Sequence, residues 1–178
     1  AMIEDQLAPK RCGHTRGKAV VSREEAVARV RAAVDAREEG ADILVMARTD
    51  ARHEHGFEEA VARCKAFADV GADITFFEAP LSEAEMERLC QEIPGPKMAN
   101  MVEQGETPFL APERLESLGY TIAAYPLTLL SSAMRAMNHA LEELAAGRAG
   151  AGVLDFSELR EIVGFSEYDR EQARYRLD

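Results

Sequence analysis

The sequence predicts an α/β protein built on parallel strands, and three features carry that prediction. Two strings recur, EEAVAR at 24–29 and 58–63 and GADI at 40–43 and 71–74. Each copy reads as a helix, a glycine turn and an apolar strand, so the chain repeats an αβ unit of roughly 30 residues. The strands are short apolar runs without alternation, as strands buried on both faces should be. Helices alternating with such strands build either an α/β barrel or an open doubly wound sheet. The glycines end helices rather than open them. Neither GxGxxG nor a P-loop occurs, so nucleotide binding has no support.

The elements follow in order. The chain starts on the last residues of a strand, "MI". A first helix begins at Ser22, with Glu25 three residues on forming a capping box. Val27, Val30 and Val34 recur at helical spacing, Gly40 ends the helix, and "ILVMA" (43–47) is the expected strand. A second helix carries Phe57, Val61, Cys64 and Phe67, then Gly71, then the strand "ITFF" (74–77). Ser82 and Glu85 open a third unit that leads to a strand near 97–102. A fourth has a short helix from Pro112 to Leu118, then Gly119, then "TIAAY" (121–125). A long helix over about 127–146, the linker "AGRAGAG" and two short amphipathic helices complete the chain. Phe156, Leu159, Ile162, Val163 and Phe165 are too apolar for a free tail and call for a partner surface.

The count is four helix–strand units plus the end of an earlier strand, whereas a closed barrel needs eight strands. The row therefore reads as about the second half of a barrel. The predicted division is 1–147 for the half-barrel and 148–178 for the linker and C-terminal helices.

Composition excludes several partners. Of 178 residues, 32 are acidic and 21 basic, a net charge of −11. Such a surface repels nucleic acid and anionic membrane, so neither is expected as a partner. No run of apolar residues is long enough to span a bilayer, and no signal peptide is recognised. Three cysteines with no CxxC pair argue against a disulfide framework or structural zinc, and the expected compartment is the cytoplasm.

Against this acidic background "PKRCGHTRGK" (9–18) stands out, with a thiol, an imidazole and four cations in one short stretch. Barrels place functional groups where strands end. Here the ends carry Glu4 and Asp5, Arg48 and Asp50, Glu78, Asn100 and Tyr125. Loops are polar in any protein, but five such ends in succession favour a site. Cys64 and Cys90 lie on helices among apolar neighbours and read as core. "HEH" (53–55) reads as a solvated loop after a strand rather than as a metal site.

The chain resembles the isocitrate lyase/phosphoenolpyruvate mutase superfamily. The matching segments run in order through nearly its whole length: IEDQ (3–6), PKRCGH (9–14), SREEA (22–26), ARTD (47–50), FFEAP (76–80), MANM (98–101), TP (107–108), GY (119–120), AYPL (124–127) and MRAMNHAL (134–141). KRCGH points to the lyase branch, and the series as a whole looks most like the 2-alkylmalate (2,3-dimethylmalate) lyases, oxaloacetate hydrolases and petal death proteins. Bacterial relatives are often labelled carboxyphosphonoenolpyruvate phosphonomutase.

The resemblance implies a (β/α)8 TIM-type barrel, of which this chain supplies the end of the fourth strand through the eighth. It implies a homotetramer, a dimer of helix-swapped dimers, with Mg²⁺ (or Mn²⁺) and a small di- or tricarboxylate substrate. The family's principal metal aspartates lie in a D-x-D-x-G stretch on an earlier strand, which this sequence does not contain. The implied reaction is retro-aldol cleavage of a 2-alkylmalate or methylisocitrate-type hydroxy acid. Oxaloacetate hydrolysis or decarboxylation and the phosphonomutase reaction are the alternatives within the superfamily. A non-catalytic barrel fragment acting in oligomer assembly is the alternative from another class.

Roles then fall on individual residues. Cys12 is the expected proton donor or base, since a thiol's pKa can be moved either way by its surroundings; otherwise it is a loop thiol. His14 would orient it or bind the substrate carboxylate. Gly13 permits close backbone approach. Lys10 and Arg11 contact substrate or close the loop. Arg48 ends a buried strand, where a guanidinium needs an anion and its fork suits a carboxylate; Glu78 is the structural alternative to substrate. In the family, Glu4 reaches the metal through water, and Glu78 lies by the substrate and base network. Asn100 and Thr107 would donate to substrate oxygens, or serve only as strand-end and turn residues.

Overall fold

The computed structural model describes residues 1–11, 17, 19–148, 150 and 152–176, in two compact units, 1–128 and 129–178. The first unit is a layer of parallel strands covered by helices, and its strands set the site.

Five strands follow one another: β1 (Met2–Glu4), β2 (Met46–Thr49), β3 (Ile74–Phe77), β4 (Met98–Asn100) and β5 (Ile122–Ala124). β1, β2 and β3 pair in parallel, as do β4 and β5. A parallel bridge from Thr75 to Lys97 joins β3 to β4. Spatial order therefore equals chain order throughout, with no reversal of the kind that marks a doubly wound sheet.

Between them lie α1 (Arg23–Glu38), α2 (Ala51–His55), α3 (Phe57–Asp69), α4 (Glu83–Glu92) and α5 (Pro112–Leu118). The serine half of each expected capping box forms, while the Glu25 carboxylate turns to Arg29 and the Glu85 carboxylate to the Leu81 N–H and Arg52. The Ser22 hydroxyl accepts from the Glu25 N–H at 3.2 Å, and the Ser82 hydroxyl accepts from the Glu85 N–H at 3.1 Å. Ala26, Val30 and Val34 of α1 are buried with Val45, Ala47 and Phe67 in one apolar cluster. Val61 and Cys64 of α3, Met86 and Leu89 of α4 and Leu115 and Leu118 of α5 join Phe77, Ala99 and Met101 in a second.

Two expectations are corrected. The strand expected at 43–47 starts later, at Met46, and runs on through Thr49. Ile43 and Leu44 are exposed, at 42% and 62%. The reason is the register. β1 pairs with β2 only from Met46 onward, and the Val45 N–H is taken by the Asp73 carboxylate at 2.8 Å rather than by a strand neighbour. Arg48 thus lies within the strand, not after it. The HEH segment is not a loop but the helix α2, and its Glu54 accepts from the Val20 N–H at 3.2 Å.

The second unit holds α6 (Thr128–Ala145), which begins at the junction, with α7 (Phe156–Ile162) and α8 (Phe165–Arg174). No residue of these three helices is buried. α7 and α8 touch through Arg160, whose guanidinium lies 5.3 Å from the Phe165 ring centroid and 3.6 Å from Asp169. Leu129, Met137, Leu141, Phe156 and Ile162 are all more than half exposed. No helix is long and apolar enough to cross a membrane among the described residues.

Candidate active site

Strand register decides which side chains meet. Glu4 pairs with Arg48, and Arg48 with Phe76, so all three lie in one row on one face. Two residues further along, Asp50 and Glu78 continue the same face just past β2 and β3, beside Asn100, the last residue of β4. Asp5 and Thr49 alternate to the other face, toward the helices.

On the site face three carboxylates surround one guanidinium. Arg48 donates from Nε to Asp50 Oδ2 at 2.8 Å and from Nη2 to Asp50 Oδ1 at 2.9 Å. Glu78 Oε2 lies 3.6 Å from Nη2, and Glu4 Oε2 lies 3.8 Å from Nε. The guanidinium also sits 4.9 Å from the Phe76 ring centroid. Asp50 and Glu78 are each about 1% exposed. Burial opposes the charge of Arg48, but Asp50, Glu78 and Glu4 outweigh it and hold the group firmly protonated. Glu4 also meets the Lys10 ammonium at 2.9 Å. Asn100 Nδ2 donates to Glu78 at 3.3 Å.

On the helix face Asp5 ties the strand ends together. Its carboxylate accepts from the Thr49 hydroxyl at 2.6 Å, from the Asp50 N–H at 2.9 Å and from Arg63 Nη1 at 3.0 Å. Burial raises the Asp5 pKa, and these three partners work against that rise.

The structure brings Glu4, Lys10, Arg48, Glu78 and Asn100 together. The Arg11 N–H donates to Gln6 Oε1 at 3.0 Å, inside a stem where the Leu7 N–H bonds Ala19 O and the Val21 N–H bonds Asp5 O. That stem frames the stretch carrying Cys12, Gly13 and His14, and those three residues lie outside the described ones. Thr107 is buried in the loop after β4, and its hydroxyl has no hydrogen-bond partner among the described residues.

From sequence, Asp50 is named among the polar strand ends but given no role of its own, and Arg63 is not singled out. The sequence assigns the Arg48 fork to substrate; in the structure its Nε/Nη2 edge is held by Asp50, which leaves Nη1 without a hydrogen-bond partner among the described residues. Arg63 did leave a signal. Ala60, Arg63, Cys64 and Phe67 share helical spacing, so a cation sits on the core stripe of α3, where one belongs only with an anion.

A divalent cation needs oxygen ligands. Among the described residues no group of three or more His, Cys, Asp or Glu is arranged to hold one. Asp50 is committed to Arg48, and Glu4 is the carboxylate with side-chain exposure left, at 19%. These residues offer a contributor to a metal site, not a complete one.

Comparison with known proteins gives a consistent answer. The model of the family described as phosphoenolpyruvate phosphomutase matches residues 1–145. The 2,3-dimethylmalate lyase of Eubacterium barkeri is 43% identical over 177 residues, covering 97% of this chain and 61% of that protein. A 2-methylisocitrate lyase of Aeropyrum pernix is 37% identical over 175 residues, covering 96% of this chain and 56% of its own length. A crystal structure of 2,3-dimethylmalate lyase superposes with a TM-score of 0.88 at 39% identity, over 97% of this chain and 59% of that one. The chain thus spans about three-fifths of the relatives it matches.

Proposed function

The chain belongs to the phosphoenolpyruvate phosphomutase family, within the isocitrate lyase/phosphoenolpyruvate mutase superfamily, and from that premise we propose that it forms part of a carbon–carbon lyase acting on 2-alkylmalate-type hydroxy acids. The observation that carries the reading is the row of Glu4, Arg48, Glu78 and Asn100 along one face at the ends of consecutive parallel strands. The sequential order of those strands supports an arc of a barrel, with this chain supplying the end of the fourth strand through the eighth.

In this proposal the substrate's carboxylate meets Arg48 at Nη1, on a guanidinium that Asp50 keeps oriented. Prior orientation lowers the entropy cost of binding. Lys10 and Arg11 add positive charge, and Thr107 and Asn100 donate to substrate oxygens. The substrate's 2-hydroxyl gives up its proton in the network of Glu78. The C2–C3 bond then breaks, its electron pair goes to C3 and a 2-oxo acid forms at C2. Cys12 protonates C3, and His14 orients the thiol. Mg²⁺ or Mn²⁺, with Glu4 reaching it through water, would supply charge neutralisation when bound. The exposed apolar faces of α6, α7 and α8 support packing of residues 148–178 on a neighbouring subunit in a helix-swapped tetramer.

The test supplies the chain together with the barrel strands that precede these in its relatives, and offers Mg²⁺ with 2,3-dimethylmalate, oxaloacetate and carboxyphosphonoenolpyruvate in turn. Formation of a 2-oxo acid and a shorter carboxylate from the alkylmalate is expected, with Cys12→Ala slower by about 10² to 10⁴. Undiminished turnover by Cys12→Ala removes its role. No alkylmalate cleavage by the assembled protein overturns the lyase reading.

A further inference from the structure

A buried ion pair is poor evidence of stabilisation, because apolar residues of similar volume often do as well. Arg63 of α3 and Asp5 of β1 form such a pair, with side chains 4% and 0% exposed. Arg63 is also gripped from its other side, where Nε donates to Glu59 at 2.9 Å. Glu59 in turn pairs with Arg23 at the start of α1. The guanidinium is therefore fixed in orientation by two carboxylates, one on each side. Asp5 is fixed likewise, with one oxygen on Arg63 and Thr49 and the other on the Asp50 N–H. The Asp50 side chain, on the opposite face, holds the Nε/Nη2 edge of Arg48. The contacts run unbroken from the helix layer, through the backbone of β2, to the site.

We propose that Arg63 is a positioning residue for Arg48, acting across the sheet through Asp5 and the backbone N–H of Asp50. It rests on the reading above only for its purpose, the orientation of Arg48 toward a substrate carboxylate. Without Arg63, Asp5 is a buried carboxylate short of its cation and turns from the Asp50 N–H toward another donor. Asp50 then loses the backbone angle that aims its two oxygens at Nε and Nη2. A helix residue remote from substrate so sets the direction of the group that would bind it.

The experiment follows the Arg48 Nε–H proton by NMR in the whole 178-residue chain, its signal identified by its loss in Arg48→Lys. In Arg63→Met this proton is expected to exchange with water about tenfold faster, as a weakened hydrogen bond allows. The amide protons of β3 should keep their protection. Should Arg63→Met not fold, Arg63→Lys decides. It keeps the charge, but one ammonium cannot span both Asp5 and Glu59, and the same acceleration is expected. An unchanged Arg48 proton in the folded variant overturns the proposal. So does acceleration of the β3 amides by the same factor, which would show only a weaker fold. No turnover is measured, so failure of the lyase reading leaves this result where it stands.

Discussion

The two ends of the sheet in the first unit use charge in opposite ways. At the N-terminal end each charged group closes a backbone group. Asp73 accepts from the Val45 N–H and pairs with Arg37, while the Lys97 ammonium donates to the carbonyls of Ile93 at 2.8 Å and Gly95 at 2.6 Å, capping α4. On the site face of the C-terminal end the side chains meet one another instead, and Glu4, Asp50 and Glu78 crowd a single guanidinium. Charges that satisfy backbone finish a fold. An excess of like charge beside one cation, in a buried row, is the kind of cluster in which binding and catalytic sites are found.

The largest effect that should follow from this contrast is on Arg48. Arg48→Met takes the shared cation away from two almost fully buried carboxylates, Asp50 and Glu78, and should cost about 3–5 kcal/mol of stability in a urea melt. In the assembled enzyme it should also abolish saturation by substrate at concentrations that saturate the parent. A melt unchanged by Arg48→Met would mean that the crowded carboxylates do not depend on the guanidinium, and the contrast between the two ends would lose its basis.

Next in size is Asp73. The Val45 N–H and Arg37 hold its carboxyl below the ordinary 3.8, against a partial opposing effect of burial. A depressed pKa stabilises the fold above the ordinary value, and that contribution is lost as pH falls through the folded value. Asp73→Asn should therefore cost about 1 kcal/mol at neutral pH, modest because the side chain is partly exposed. The difference from the parent should vanish toward the acid limit. A difference that grows with acidity would give Asp73 the opposite sign and remove it from the charges that finish the fold.

The same contrast bears on what the sequence revealed. Helices α1, α3, α4 and α5 were legible because caps and apolar spacing are local signals, and so was the succession of five strands along the chain, though not their order in space. The start of β2 was not. "ILVMA" is apolar throughout, so nothing within it says where pairing begins; the Asp73 carboxylate and the length of β1 decide that. At the site, Glu4, Arg48, Glu78 and Asn100 were legible as polar residues abutting apolar runs. The Arg63–Asp5 pair was harder, because its members lie far apart in the chain. Its one local trace was a cation on the buried stripe of α3.

Backbone strain divides along the same line, and the smallest predicted effect tests it. At the N-terminal end the left-handed turns that close α3 and α5 are glycines, Gly71 at φ 100° and Gly119 at φ 107°. At the C-terminal end Ala79, buried directly after Glu78, holds φ 55° with a side chain that disfavours it. A left-handed non-glycine residue costs roughly 1–2 kcal/mol, and glycine there loses about 0.5–1 kcal/mol more chain entropy on folding. Ala79→Gly should thus stabilise the chain by a few tenths of a kcal/mol to about 1 kcal/mol. Gly71→Ala should do the reverse and by more, since its new Cβ would add a 3.1 Å contact with Val34 Cγ1 to the same strain. Strain retained beside Glu78 has a physical use, because the constrained turn aims that carboxylate toward Arg48 and Asn100. Ala79→Gly should accordingly melt later while the assembled enzyme turns over more slowly. If it gains both stability and speed, the strained turn holds nothing in place, and the two ends differ in charge alone.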